Sequence, residues 1–160
     1  MFRRLLMLFA GVSSAGVLVV ATGALFENTA SAAPASAPST CQGVIQITKL
    51  AFNPKAVPPG GSSTVHLTAV NCTDEPQQTS VTWLGKFTGG SGGSPVGCPE
   101  IDPFGRAADF PSGGTLKSQT TYDVPSGCDA RDLKITVRIS KDGTILTQRS
   151  TDLTILIPTS

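Results

Sequence analysis

Four cysteines, Cys41, Cys72, Cys98 and Cys128, are the only ones in a chain of 160 residues, and all follow an N-terminal stretch built like an export signal. That arrangement constrains the fold more than any other feature, because thiols carried into an oxidising compartment pair and cross-link what lies between them. Arg3 and Arg4 give a basic start, residues 5–26 carry no charge, and Ala30-Ser31-Ala32 supplies the small residues of a cleavage site. Cleavage is predicted between Ala32 and Ala33, which makes residues 1–32 a signal peptide and the protein secreted. The rival is an uncleaved N-terminal anchor that leaves the rest outside, since 22 uncharged residues at about 1.5 Å each span a hydrocarbon core of about 30 Å. Gly11, Ser13, Ser14, Gly16 and Thr22 dilute the run and favour cleavage, so no stable membrane insertion is expected afterwards. Pro38-Ser39-Thr40, before Cys41, lacks the Leu-small-small pattern of a bacterial lipid anchor.

Loss of residues 1–32 removes Arg3, Arg4 and Glu27 and leaves ten basic and ten acidic side chains. A neutral, mixed surface argues against nucleic acid or an anionic membrane as the partner, because both demand a basic field. Residues 33–40, Ala-Pro-Ala-Ser-Ala-Pro-Ser-Thr, have no hydrophobic period and read as an extended linker. One domain, residues 41–160, remains.

Within it no window carries a helical period, whereas alternation is plain. Leu133, Ile135, Val137 and Ile139 alternate with Lys134, Thr136, Arg138 and Ser140, and Asp142-Gly143 then suits a hairpin turn. The return strand starts at Thr144 and, after a polar interruption at residues 148–151, resumes as Leu153, Ile155 and Ile157. Earlier strands are predicted at 43–50, 63–71, 80–87 and 116–124, with Ile45, Ile47, Val65, Leu67, Ala69, Val81, Trp83, Tyr122 and Val124 inward. Residues 89–114 read as one long loop, opening Gly-Gly-Ser-Gly-Gly-Ser and braced by Pro95, Pro99, Pro103 and Pro111. The prediction is an all-β, two-sheet sandwich of about seven strands with two disulfides.

Val57-Pro58-Pro59-Gly60-Gly61 leading into the second strand, with a single Trp83 on the next, resembles bacterial extracellular immunoglobulin-like domains. The resemblance covers about residues 43–157 and implies adhesion, spacing or display, with no site residue carried over. It departs in its cysteines, which do not flank the tryptophan on facing core strands. Leu50-Ala51-Phe52-Asn53-Pro54 with Val57, Pro59-Gly60 and Asn71 also resembles the first half of a cupredoxin. That family needs two histidines, a cysteine and usually a methionine on copper. Residues 33–160 hold one histidine and no methionine, and Gln77 and Gln78 stand where the first copper histidine would fall, so no cofactor is expected.

Four cysteines allow three pairings. If the first two strands fold back near Val57, residue 45 faces about residue 68 and Cys41 falls opposite Cys72, which leaves Cys98 for Cys128. Zinc is the alternative for four thiolates, but there is no Cys-x-x-Cys. His66, between Val65 and Leu67, points outward with no nucleophile-elbow motif near it, and reads as a surface histidine. Glu100 and Asp102 are a carboxylate pair of the kind glycoside hydrolysis uses, and Asp129 with Asp132 a sparse calcium set; solvated acids are the plainer reading of both. Trp83 and Tyr122, in phase with inward faces, read as core rather than a sugar platform.

The segment Gly97-Cys98-Pro99-Glu100-Ile101-Asp102-Pro103 is proline-braced and tied by a cysteine, so Pro99, Glu100, Ile101 and Asp102 form the candidate interaction loop. Proline after a loop cysteine is similar to the reactive loop of secreted bacterial subtilisin inhibitors, over about seven residues. The expected function is non-enzymatic: an extracellular interaction or structural module whose partner is an extracellular protein or cell-envelope component. Protease inhibition through residues 98–103 is the alternative.

Overall fold

The computed structural model describes residues 41–157 except 91 and 93; the predicted signal, residues 1–32, and linker, residues 33–40, lie outside the described residues. Eight strands form from alternating sequence: β1 (Ile45–Asn53), β2 (Ala56–Val57), β3 (Ser62–Asn71), β4 (Gln77–Thr88), β5 (Phe104–Phe110), β6 (Thr115–Asp123), β7 (Asp132–Lys141) and β8 (Thr144–Ile155). They make two sheets, β1-β3-β6 and β2-β8-β7-β4-β5, and the described residues contain no helix. Between the sheets lie Ile45, Leu67, Trp83, Leu133, Ile135, Ile139 and Leu153, each essentially without solvent contact. The period of two is the cause: every second residue of β7 is apolar, so one face of that strand enters the core and the other stays wet. Asp142 and Gly143, both at positive φ, close the two-residue hairpin from β7 to β8.

Eight strands replace the seven or so predicted: β8 runs unbroken through its polar stretch, the two-residue β2 pairs with it, and the segment 89–114 is not a single loop. It contains β5, which pairs with β4 from Gln77↔Phe110 to Trp83↔Phe104. Its Gly-Arg-Ala-Ala-Asp interior is poor in strand formers, and as an edge strand with one hydrogen-bonded neighbour it faces weak packing demands. The fold-back of β1 on β3 also lies further along than predicted. Ile45 faces Asn71, not residue 68, because β1 runs on to Asn53 before the chain turns. Cys41 and Cys72 nonetheless join, 5.6 Å apart at Cα, since both sit just beyond the ladder, where the Cys72 amide donates to the Val44 carbonyl.

The polar interruption in β8 has a structural cause. Arg149 faces the sandwich edge and donates to the carbonyls of Ile47 and Thr48, at 3.2 and 3.1 Å, across from the five-stranded sheet to a bulge in β1. At the same end, fully buried Asn71 donates to the carbonyls of Glu75 and Pro111 and accepts from the Thr73 amide and hydroxyl. Gln77, buried on β4, donates to the Thr73 hydroxyl and accepts from the Lys141 ammonium. A polar network around Asn71 and Gln77 therefore closes this end.

Candidate functional site

The opposite end carries the chain from β4 to β5, residues 89–103, and the turn from β6 to β7. Cys98 and Cys128 tie the two, with Cα atoms 4.5 Å apart. Three further contacts flank the bridge. The Asp129 carboxylate accepts from the Val96 amide at 2.6 Å, the Asp129 amide donates to the Val96 carbonyl at 3.1 Å, and the Arg131 amide donates to the Thr88 carbonyl. The first is charge-assisted, among the stronger bonds a loop can make. Gly97 permits the approach: its φ is 72°, and a Cβ there would lie 2.1 Å from the Gly127 carbonyl oxygen. The backbone of residues 96–98 is thus held on both sides, and the Val96 side chain projects from it with 66% of its surface exposed.

A second anchor lies further along the loop. Gly85 interrupts the inward series Val81, Trp83, Phe87 on β4, and the Ile101 side chain fills the space, 2.8 Å from where a Gly85 Cβ would stand. Between loop and strand runs a groove of about 690 Å³, lined by Leu84, Lys86 and Phe87 on one side and by Pro95, Pro99 and Glu100 on the other. Phe104 then stacks on Trp83, ring centroids 6.1 Å apart, and the Arg106 guanidinium lies over the Phe104 ring, 5.7 Å from its centroid.

Of the four loop residues singled out from sequence, Pro99, Glu100 and Asp102 are exposed, whereas Ile101 is half-buried against the core and serves as an anchor. Both disulfides form as expected, Cys41 with Cys72 from the fold-back of the first two strands and Cys98 with Cys128 by remainder. Trp83 and Tyr122 are buried, so neither presents a ring to a sugar. His66 is half-buried on the outer face of β3, and Asp129 holds the loop. Among the described residues no three histidine, cysteine or acidic side chains gather where they would hold a metal ion. Burial pushes the Tyr122 phenol from 10.0 up to about 12, and its hydroxyl has no hydrogen-bond partner among the described residues.

Sequence reasoning missed Val96 and the role of Asp129. The usable signal was adjacency: once Cys98 is joined to Cys128, Val96 and Asp129 flank the bridge, and an apolar residue between Pro95 and Gly97 has no strand to bury it.

No family model matches the sequence, and no curated protein matches it significantly. Among solved structures, the Pseudomonas fluorescens alkylpurine DNA glycosylase AlkC, bound to DNA containing an abasic site analog, is similar with a TM-score of 0.49 at 14% identity, over 70% of this chain and 31% of that one. A protein assigned as a beta-galactosidase from Bacteroides fragilis gives 0.45 at 13% identity, over 70% of this chain and 16% of that one. The chain spans less than a third of the length of either.

Proposed function

We propose that this is a secreted, non-enzymatic, immunoglobulin-like module that binds an extracellular protein or cell-envelope component through the loop clamped by Cys98–Cys128. The observation that carries the reading is Val96, an apolar side chain 66% exposed on a backbone fixed by a disulfide and two hydrogen bonds. Exposed apolar side chains are ordinary on mobile loops; on a fixed backbone one presents contact area whose ordering cost has been met on folding. The neighbouring groove gives a partner a concave surface beside that projection. Strand order supports the fold half of the reading: β8-β7-β4-β5 against β1-β3-β6 corresponds to G-F-C-C′ against A-B-E, and no described strand takes the place of D. The test is capture of binding proteins from culture fluid and cell envelope with the immobilised mature chain, repeated with Val96→Asp. A partner retained by the first and lost by the second is the expected result; equal retention would show that the partner is not held by the clamped loop.

Protease inhibition is the second reading, and one arrangement favours it. Pro99, Glu100 and Asp102 are exposed on a stretch held by Cys98 at one end and by Ile101 over Gly85 in the middle, as a cleft-filling segment requires. Glu100 is then the side chain a protease pocket would take, because Ile101 is committed to the sheet. Titration against secreted serine proteases decides it: absence of inhibition at micromolar concentration ends this reading, and inhibition abolished by Glu100→Ala establishes it.

A further inference from the structure

We infer that the outer face of the three-stranded sheet is an oxyanion site, which binds a polymer bearing repeated phosphate or sulfate groups. The observation is a cross-strand row: Lys49 on β1 faces Thr68 on β3, which faces Lys117 on β6. In the next row His66 faces Gln119. Lys49, His66, Thr68, Lys117 and Gln119 line one shallow depression of about 360 Å³, and no carboxylate lines it. Every one of these side chains has a hydrogen to donate, and none has a side-chain hydrogen bond or ion pair with another described residue.

Lys49 reaches this row only because β1 is bulged. Strict alternation from buried Ile47 would turn Lys49 into the core, but the extra residue at Thr48 leaves Thr48 and Lys49 both exposed and restores Leu50 to the inside. A bulge that re-aims a side chain is a recurrent device at binding sites. This one is held from two directions. Arg149 binds the carbonyls of Ile47 and Thr48 from the other sheet, and the Thr48 hydroxyl donates to the Thr68 carbonyl at 3.2 Å. Three hydrogen bonds across the edge of the sandwich therefore fix a surface lysine in register with a second one.

The ligand class follows from spacing and exposure. Lys49 and Lys117 stand two strands apart, about 9.6 Å at the backbone, so their side chains close on one anion or take two successive charges. Exposed ion pairs are individually worth at most about 1 kcal/mol, so a single free anion is held weakly, and a chain of linked charges gains from engaging both. The chain beyond residue 32 has no net charge, so this is a local field rather than a general basic surface. The site lies on the outer face of one sheet, away from the clamped loop, and stands or falls independently of it.

The test is titration of the mature chain with polyphosphate and with dextran sulfate at low salt, followed by amide spectra, with inorganic phosphate and neutral dextran as controls. The expected result is that at least one polyanion shifts the amides of Lys49, His66, Thr68, Lys117 and Gln119 while neutral dextran shifts none. The double variant Lys49→Gln/Lys117→Gln is expected to weaken that binding at least about tenfold and to flatten its salt dependence. Both lysines are exposed, so the variant folds; Lys134→Gln/Arg138→Gln, on the outer face of the other sheet, is expected to change neither quantity. Which polyanion binds distinguishes phosphate from sulfate groups. Silence with both, or equal loss from the two double variants, would overturn the site.

Discussion

Asn71 and Tyr122 are both buried polar residues, and they differ in what surrounds them. Asn71 satisfies its whole amide by bonds to Thr73, Glu75 and Pro111, so Asn71→Ala takes the side-chain acceptor from the Thr73 amide and removes one donor each from the Glu75 and Pro111 carbonyls, which keep the Thr73 hydroxyl and the Gly114 amide. Loss of about 2 kcal/mol is expected in urea unfolding. Tyr122 packs edge-on against Phe52 at 6.2 Å with its hydroxyl unpartnered among the described residues, so Tyr122→Phe is expected to gain about 1 kcal/mol at neutral pH. The phenol adds a pH effect of known sign. Below pH 10.0 both folded and unfolded chains keep the proton, and stability does not change with pH through this group; between 10.0 and about 12 only the unfolded chain ionises. Stability then falls by about 1.4 kcal/mol per pH unit across that window, and levels off above it. Tyr122→Phe is expected to remove that slope; equal slopes in parent and variant would show the phenol to be solvated. At this scale the sequence told inward from outward, since the period of two marks Tyr122, Trp83 and His66 correctly. It did not show that Asn71 serves a network, because its partners lie up to 40 residues away.

Strands with strong alternation, β3, β4, β7 and β8, were legible to within a few residues. The register of β1 was not, because a bulge and a longer turn leave no mark on composition, and β5 was not, because an edge strand has little to bury. The Cys98–Cys128 pairing was reachable by remainder, but the clamp around it was not, since it joins residues 33 apart through a backbone amide. That clamp has a measurable signature. The double variant Cys98→Ser/Cys128→Ser opens a loop closed over a separation of 30 residues, which costs about 3 to 4 kcal/mol in the chain-entropy model. The amides of Val96 and Asp129 are expected to lose hydrogen-exchange protection in that variant while those of β7 keep theirs at low temperature. Unchanged protection at Val96 would mean that the hydrogen bonds hold the loop without the disulfide.

Across the whole molecule, the two ends do different work. One is closed by Asn71, Gln77 and Lys141 and stapled by Cys41–Cys72; the other presents Val96, the groove beside β4 and the exposed acids of the loop. Leu156 and Ile157, about half exposed where β8 ends, lie at that second end too, whereas Ile145, 52% exposed, lies at the first. Ile145 is therefore a matched control: an apolar side chain of comparable exposure, remote from the clamp. The most direct measurement is quantitative capture of extracellular partners with the parent chain, Val96→Asp and Ile145→Asp side by side. A partner bound by the parent and by Ile145→Asp and lost on Val96→Asp is the expected result; loss from both variants, or from neither, would contradict binding through the clamped loop.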